Sequence, residues 1–228
     1  MTQAVVSWSG GKDCTLAAYR AAKYGLEVCG LLNMVREDGQ RSWSHGMDTR
    51  WLELQSQAMG IRLIQRRTSS RNYESEFENT LRTLKQEGVS AGVFGDIDFE
   101  EHRLWVTRVC EEGGIAPVLP LWGEDQDKLV REFTAAGFEA IVVATQAELL
   151  GEEWLGRSLN EVFLADLAAL GGGKRVTPCG EAGEYHTLVV NGPLFKKRLN
   201  VTQTEKVLRD GYWFLDIKGC ELRGKGAD

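Results

Sequence analysis

With four prolines and five cysteines in 228 residues, the chain lacks the raw material for several architectures. Cys14, Cys29, Cys110, Cys179 and Cys220 are odd in number, far apart and contain no Cys-x-x-Cys pair. That spacing argues against a disulfide framework or a zinc site, and for a reducing compartment. No run of about 20 apolar residues is present to cross a membrane, and the N-terminus has no basic patch followed by an apolar signal segment. A cytoplasmic protein with no membrane partner is therefore expected. Positive charge is not in excess either, since 27 Lys and Arg against 33 Asp and Glu leave a net charge of -6. Such a balance gives no overall electrostatic footprint for nucleic acid. The local triplet Lys196-Lys197-Arg198 reads better as a solvated strand end than as an RNA contact. No Pro- or Ser-rich linker, internal repeat or low-complexity segment interrupts the chain.

What is present is concentrated near the start. Ser9-Gly10-Gly11-Lys12-Asp13-Cys14 follows the apolar run Ala4 to Trp8 and precedes the helix-like stretch Thr15 to Lys23. Strand, glycine turn and helix in that order build an anion hole: glycines adopt backbone angles closed to other residues and leave room for a ligand. The following helix then points its free amides and positive dipole end into the same space. A Walker loop is excluded, because Val6 stands where its first Gly is needed and Asp13 where its Ser or Thr would hold magnesium. The dinucleotide fingerprint fails as well, with Gly10 and Gly11 adjacent and Cys14 in place of the third Gly. The six residues instead resemble the Ser-Gly-Gly-x-Asp-Ser pyrophosphate loop of the ATP pyrophosphatases, which include asparagine synthetases, GMP synthetases and tRNA-thiolating enzymes. That resemblance implies attack at the α-phosphate of ATP, an adenylated substrate and pyrophosphate as leaving group.

Short apolar runs alternate with amphipathic stretches up to about Leu121. The runs are Ala4 to Trp8, Val28 to Val35, Ile61 to Gln65, Gly92 to Ile97 and Pro117 to Leu121. Between them lie helix candidates at Thr15 to Lys23, Thr49 to Met59, Glu74 to Gln86 and Phe99 to Glu112. Five strands separated by helices predict an α/β fold with a doubly wound parallel sheet, in which ligands bind beyond the strands' carboxyl ends where strand order reverses. After Trp122 come a helix at Asp125 to Ala136, a strand at Ala140 to Ala144 and a helix at Leu159 to Leu170, stopped by Gly171-Gly172-Gly173. Strands at Tyr185 to Val190, Leu199 to Val207 and Tyr212 to Ile217 follow, separated by Asn191-Gly192-Pro193 and Asp210-Gly211. A smaller α+β domain over 124–228 is thus expected behind a first domain over 1–123.

Several residues in these loops could carry chemistry. Asp13, in the first turn of the helix, could hold Mg²⁺ against phosphates or simply cap the helix. Lys12 could neutralise phosphate charge or extend to solvent, while Ser9 and Cys14 could donate hydrogen bonds to phosphate, the thiol being the weaker donor. His45, in the loop Ser42 to Asp48, could touch the nucleotide or move a proton, although a lone loop His is more often a surface residue. After the fourth strand, Gly95 is placed at the nucleotide, and Asp96, Asp98, His102 and Arg103 at the substrate. Asp98 could alternatively cap a helix in a box with Glu101. Two carboxylates in Thr177 to Thr187, Glu181 and Glu184, could hold a cationic group, ammonia or Mg²⁺. Arg157, within Trp154-Leu155-Gly156-Arg157, could bind a phosphate or carboxylate, or belong to a packed turn.

Taken in order, these segments resemble the diphthine–ammonia ligase family. Ser9 to Asp13 match its opening Ser-Gly-Gly-Lys-Asp-Ser, with Cys14 in the last place. His45 and Leu52-Glu53-Leu54, then Pro120-Leu121-Trp122 with Asp125, then Trp154 to Arg157, Cys179 to Thr187 and Gly192 to Phe195 follow the family's remaining motifs. The resemblance covers nearly the whole chain and implies an ATP pyrophosphatase domain of the HUP type followed by a family-specific substrate domain. It implies ATP and Mg²⁺ as cofactors, Asp13, Lys12, Glu181 and Glu184 as catalytic residues, and Cys179, Gly180, Tyr185 and His186 at the substrate. ATP would adenylate a carboxylate, and ammonia, used directly, would displace AMP to leave an amide. In the family's defining case the carboxylate is that of diphthine, a modified histidine on elongation factor 2. A homodimer is one assembly expected.

The chain departs from the family at Asp96 to Arg103, where Ser, Tyr and Gln are usual, and at Ala182 and His186, where Gly and Glu are common. Those departures bear on the acceptor, and a different carboxylate is an alternative. Sulfur transfer to tRNA, using Cys110 or Cys179, and an ATP-binding regulatory module are the competing readings.

Overall fold

The structure is a computed structural model and describes residues 1–43, 46–170 and 176–226. The chain divides into two compact units, Met1–Gly123 and Glu124–Asp228. In the first, β1 (Thr2–Ser7), α1 (Lys12–Lys23), β2 (Leu26–Arg36), α2 (Thr49–Met59) and β3 (Arg62–Thr68) are followed by α3 (Tyr73–Gln86), β4 (Ala91–Val93), α4 (Glu100–Gly113) and β5 (Ala116–Val118). The strands form one five-stranded sheet in the order β3-β2-β1-β4-β5, with every pairing parallel. After β1 the chain winds outward through β2 and β3, then returns to β4 on the other side. Strand order therefore reverses between β1 and β4, and the crevice beyond their carboxyl ends is the ligand position of a doubly wound sheet. Alternation along β1 sends Val5 into a core with Phe77 and Leu81 of α3 and Val106 and Cys110 of α4. Ala4 and Val6, both fully buried, face the other way.

The first unit's boundaries differ from the apolar runs in instructive places. Helix α1 starts three residues earlier than its periodicity predicts, so the glycine loop runs directly into a helical turn. Strand β4 ends at Val93 rather than Ile97. Ile97 is fully buried, but its carbonyl accepts from the Gly123 amide at 2.8 Å. Its apolar character thus reports burial beneath a loop. β5 stops at Val118, short of Leu121, which is likewise buried outside the sheet.

The second unit contains α5 (Gln126–Ala135), β6 (Glu139–Gln146), a 3-10 turn (Glu152–Trp154), α6 (Glu161–Ala168), β7 (Tyr185–Asn191), β8 (Lys197–Arg209) and β9 (Tyr212–Gly224). Its sheet runs β7-β6-β9-β8 and is antiparallel, making this unit α+β. Asp125 and Asn160 cap α5 and α6 by accepting from Lys128 and Phe163 amides at 3.0 and 2.9 Å. The cap at Asn160 explains why α6 starts at Glu161 and not at the predicted Leu159; the helix also ends at Ala168, before the predicted Leu170. β8 and β9 are 13 residues each: β8 extends slightly beyond both predicted ends, and β9 runs well past Ile217 to Gly224. They pair mainly with each other, and their exposed residues carry little hydrophobic pattern. The predicted stop at Gly171-Gly172-Gly173 lies outside the described residues.

Candidate nucleotide site

Only Trp8 to Gly11 connect β1 to α1. Gly10 takes φ +81°, and a Cβ there would lie 2.6 Å from Leu52 Cδ2 and 2.7 Å from Gln55 Oε1. Gly11 is the N-cap of α1 and has no side chain with which to cap it; its own amide donates to Ser9 Oγ at 3.4 Å, and the positive dipole end of α1 begins at this loop. A buried clamp holds the turn: Trp8 Nε1 donates to Gln55 Oε1 at 3.0 Å, and Gln55 Nε2 donates to the Gly10 carbonyl at 2.9 Å. From the helix side, Thr15 Oγ1 and Cys14 Sγ both donate to the Gly11 carbonyl, at 2.8 and 3.2 Å. Ser9 Oγ in turn approaches Cys14 Sγ at 3.4 Å. Burial pushes the Cys14 thiol up; it is an inward brace of the loop.

Lys12 is only 4% exposed and its Nζ donates to Asp13 Oδ2 at 2.8 Å, so it does not extend to solvent. Asp13 is inside the first turn, one residue past Lys12, and is not the cap. Burial raises its pKa, against the lowering pull of Lys12.

The loop after β4 packs directly on this turn. A Cβ on Gly95 would stand 2.7 Å from Cys14 N and 2.8 Å from Asp13 C, so the close backbone approach requires glycine. Asp96 follows, and its Oδ1 lies 3.2 Å from His102 Nδ1 on α4. Burial raises the Asp96 pKa, His102 lowers it, and the Asp13 charge raises it further. The Tyr73 hydroxyl is pushed up to about 12 by burial and then by Asp96. Asp98 is exposed, and the N-cap position of α4 falls at Phe99, one residue later than a box from Asp98 to Glu101 expects. Arg103 pairs with Glu100 at 2.5 Å and lies over the Trp122 ring at 5.1 Å. His45 lies outside the described residues.

In the second unit, Thr177 to Thr187 form a tight turn leading into β7. Glu184 is 2% exposed. Its Oε1 accepts from the Thr177 amide at 2.7 Å, and its Oε2 has no hydrogen-bond partner among the described residues. The Glu181 amide donates to Thr177 Oγ1 at 3.0 Å. Gly180 takes φ +67°, with a Cβ excluded by the Tyr185 carbonyl 2.7 Å away. Buried Tyr185 donates its hydroxyl to the Pro178 carbonyl, and buried Cys179 bonds Gln126 through both amide and thiol. His186 sits within β7 opposite Ala144. Arg157 pairs with Asp166 and covers the Trp154 ring at 4.4 Å, as in a packed turn. Among the described residues, no group of three His, Cys, Asp or Glu side chains is placed to hold a metal ion.

Family models of a diphthamide synthase N-terminal domain and C-terminal domain match residues 2–117 and 125–222. The chain belongs to the diphthamide synthase family. A diphthine–ammonia ligase of Rattus norvegicus is 30% identical over 95% of this chain and 89% of its own length. The Schizosaccharomyces pombe diphthine–ammonia ligase is also 30% identical, over 93% of this chain but 38% of that longer protein. A solved structure described as a predicted subunit of tRNA methyltransferase from Methanocaldococcus jannaschii aligns at TM-score 0.45 and 15% identity, over 84% of this chain and 98% of that one.

In this diphthamide synthase family member, packing also brings out residues that motif reading missed. Gln55 is fully buried on α2, and a glutamine at an inward helical position is the signal that could have found it. Asn33 donates to the Trp8 carbonyl and to Ser42 Oγ, both at 2.8 Å, tying β2 to the loop that follows β1. No helix among the described residues is long and apolar enough to cross a membrane.

Proposed function

We propose that this chain is an ATP-dependent, AMP-forming carbon–nitrogen ligase that amidates diphthine with ammonia. The observation that carries the reading is the Ser9–Cys14 turn at the β1/β4 reversal, in a chain matched along both domains to diphthamide synthase. The positive dipole end of α1 and the loop amides would receive the leaving pyrophosphate, with Lys12 balancing its charge. Asp13 would hold Mg²⁺, which shields phosphate charge when bound; a single carboxylate completed by phosphate oxygens and water is an ordinary magnesium arrangement. The raised pKa of Asp13 fits that role, since a nearby cation would offset the burial of its charge. Gly95 would keep the loop after β4 close against the same turn. In the second unit the inward carboxylate oxygen of Glu184 and the neighbouring Glu181 are suited to a cationic or N–H-bearing group of the acceptor or to ammonia. Sulfur transfer fares worse, because Cys110 is fully buried with its thiol pushed up to about 12, and Cys179 is 2% exposed.

The test is product analysis with diphthine-bearing elongation factor 2, ATP and ammonium. Expected are AMP, pyrophosphate and the amide in equal amounts, each dependent on ammonium and acceptor. ADP and phosphate as the only nucleotide products would sink the reading.

A further inference from the structure

His102 is two-thirds exposed while its partner Asp96 is largely covered. Their contact at 3.2 Å joins Oδ1 of Asp96 to Nδ1 of the ring. An ionised carboxylate only accepts, so Nδ1 carries the hydrogen and Nε2 is left as an acceptor. Asp96 is in turn anchored to the phosphate turn, because Gly95 beside it abuts the Asp13–Cys14 backbone. The dyad therefore stands on the loop after the central strand β4, at the sheet's reversal, and its imidazole ring is largely exposed. Besides Asp96, Phe99 packs on the ring with centroids 5.6 Å apart, and Glu100, Glu101 and Arg103 are its charged neighbours along α4. Across Asp96 lie Asp13 on α1 and Tyr73 on α3.

We propose that His102 is the catalytic proton acceptor for the ammonium ion that supplies the amide nitrogen, with Asp96 as its positioning residue. This rests on the ligase reading above. At neutral pH ammonia is present mainly as ammonium, which has no lone pair with which to attack. Nε2 takes one proton from ammonium and frees ammonia. The nitrogen lone pair then forms the C–N bond to the acyl adenylate carbonyl. Collapse of the adduct breaks the bond from that carbon to the AMP oxygen, AMP leaves with the electron pair, and a second proton passes from nitrogen to water.

The experiment compares the unaltered chain, His102→Asn and Asp96→Asn, using diphthine-bearing elongation factor 2 as acceptor. ATP–pyrophosphate exchange, ammonia-dependent amide formation and hydroxylamine-dependent hydroxamate formation are measured across pH. Hydroxylamine is already unprotonated near neutrality and needs no such acceptor. In His102→Asn, amide formation at neutral pH is expected to fall on the order of 100-fold more than exchange does. Hydroxylamine should close most of that gap, and the deficit should shrink as rising pH makes ammonia the main species. Asp96→Asn, which keeps an acceptor for Nδ1–H, should show a smaller loss of the same kind. Unchanged ammonia kinetics in His102→Asn, or equal losses with exchange, ammonia and hydroxylamine, would overturn the proposal. An unaltered chain inert even in exchange would instead refute the ligase reading and this inference with it.

Discussion

Gln55 shows how one side chain far along the sequence determines the shape of the phosphate turn. It joins Trp8 and the Gly10 carbonyl from a site with no exposure. Gln55→Leu removes both bonds and leaves two buried polar groups, at a cost of about 1–3 kcal/mol for each one unsatisfied. Urea unfolding should show that loss, and titration calorimetry a weaker ATP affinity. Asp96 works in the opposite sense. Burial raises its folded pKa above the unfolded value of about 4, so its stability contribution is complete below that value and lost as pH rises through the folded one. Asp96→Asn is thus expected to be at least as stable as the parent at pH 7, with the advantage gone at pH 4. Unfolding curves at the two pH values check this; a less stable variant at pH 7 would show that the pairing with His102 outweighs burial. Motif reading placed Asp13 at the first turn of α1 and Lys12 in the glycine loop before it, because the glycine turn and helix start are local features. It could not choose between cap and ligand for Asp13, or between solvent and burial for Lys12. Those outcomes depend on what packs around the turn.

At the scale of elements, the β8–β9 hairpin depends on its turn. Asp210 and Gly211 take φ of +49° and +79°, the paired positive angles of a tight hairpin turn whose twist suits the strands. Nothing lies within 4 Å of a Cβ on Gly211. Gly211→Ala should therefore cost only the backbone penalty, about 1 kcal/mol. Gly192→Ala should cost clearly more, because its Cβ would fall 1.9 Å from Phe138 Cδ1. Equal unfolding midpoints for the two variants would contradict this. The Asp-Gly turn was legible in the sequence because its conformation is written in two adjacent residues. The full length of the strands was not, since β8 and β9 hold each other by backbone pairing with little apolar alternation to announce it.

For the whole molecule, the division at Gly123 implies that the first unit has its own core. A fragment ending at Gly123 is expected to unfold cooperatively and to bind ATP without forming amide. Circular dichroism with calorimetry tests both; a fragment lacking a cooperative transition would refute the independence of that core. The succession of strands and helices, the glycine turn and the family motifs followed from sequence alone, because each rests on periodicity or on residues near one another in the chain. Tertiary structure alone decided that β4 lies beside β1, that Gly95 abuts the Asp13–Cys14 backbone, that Gln55 clamps the turn and that Asp96 meets His102. The first three are contacts between distant segments, selected by packing and burial; the fourth joins residues six apart and depends on how the chain turns into α4, which no local pattern specifies.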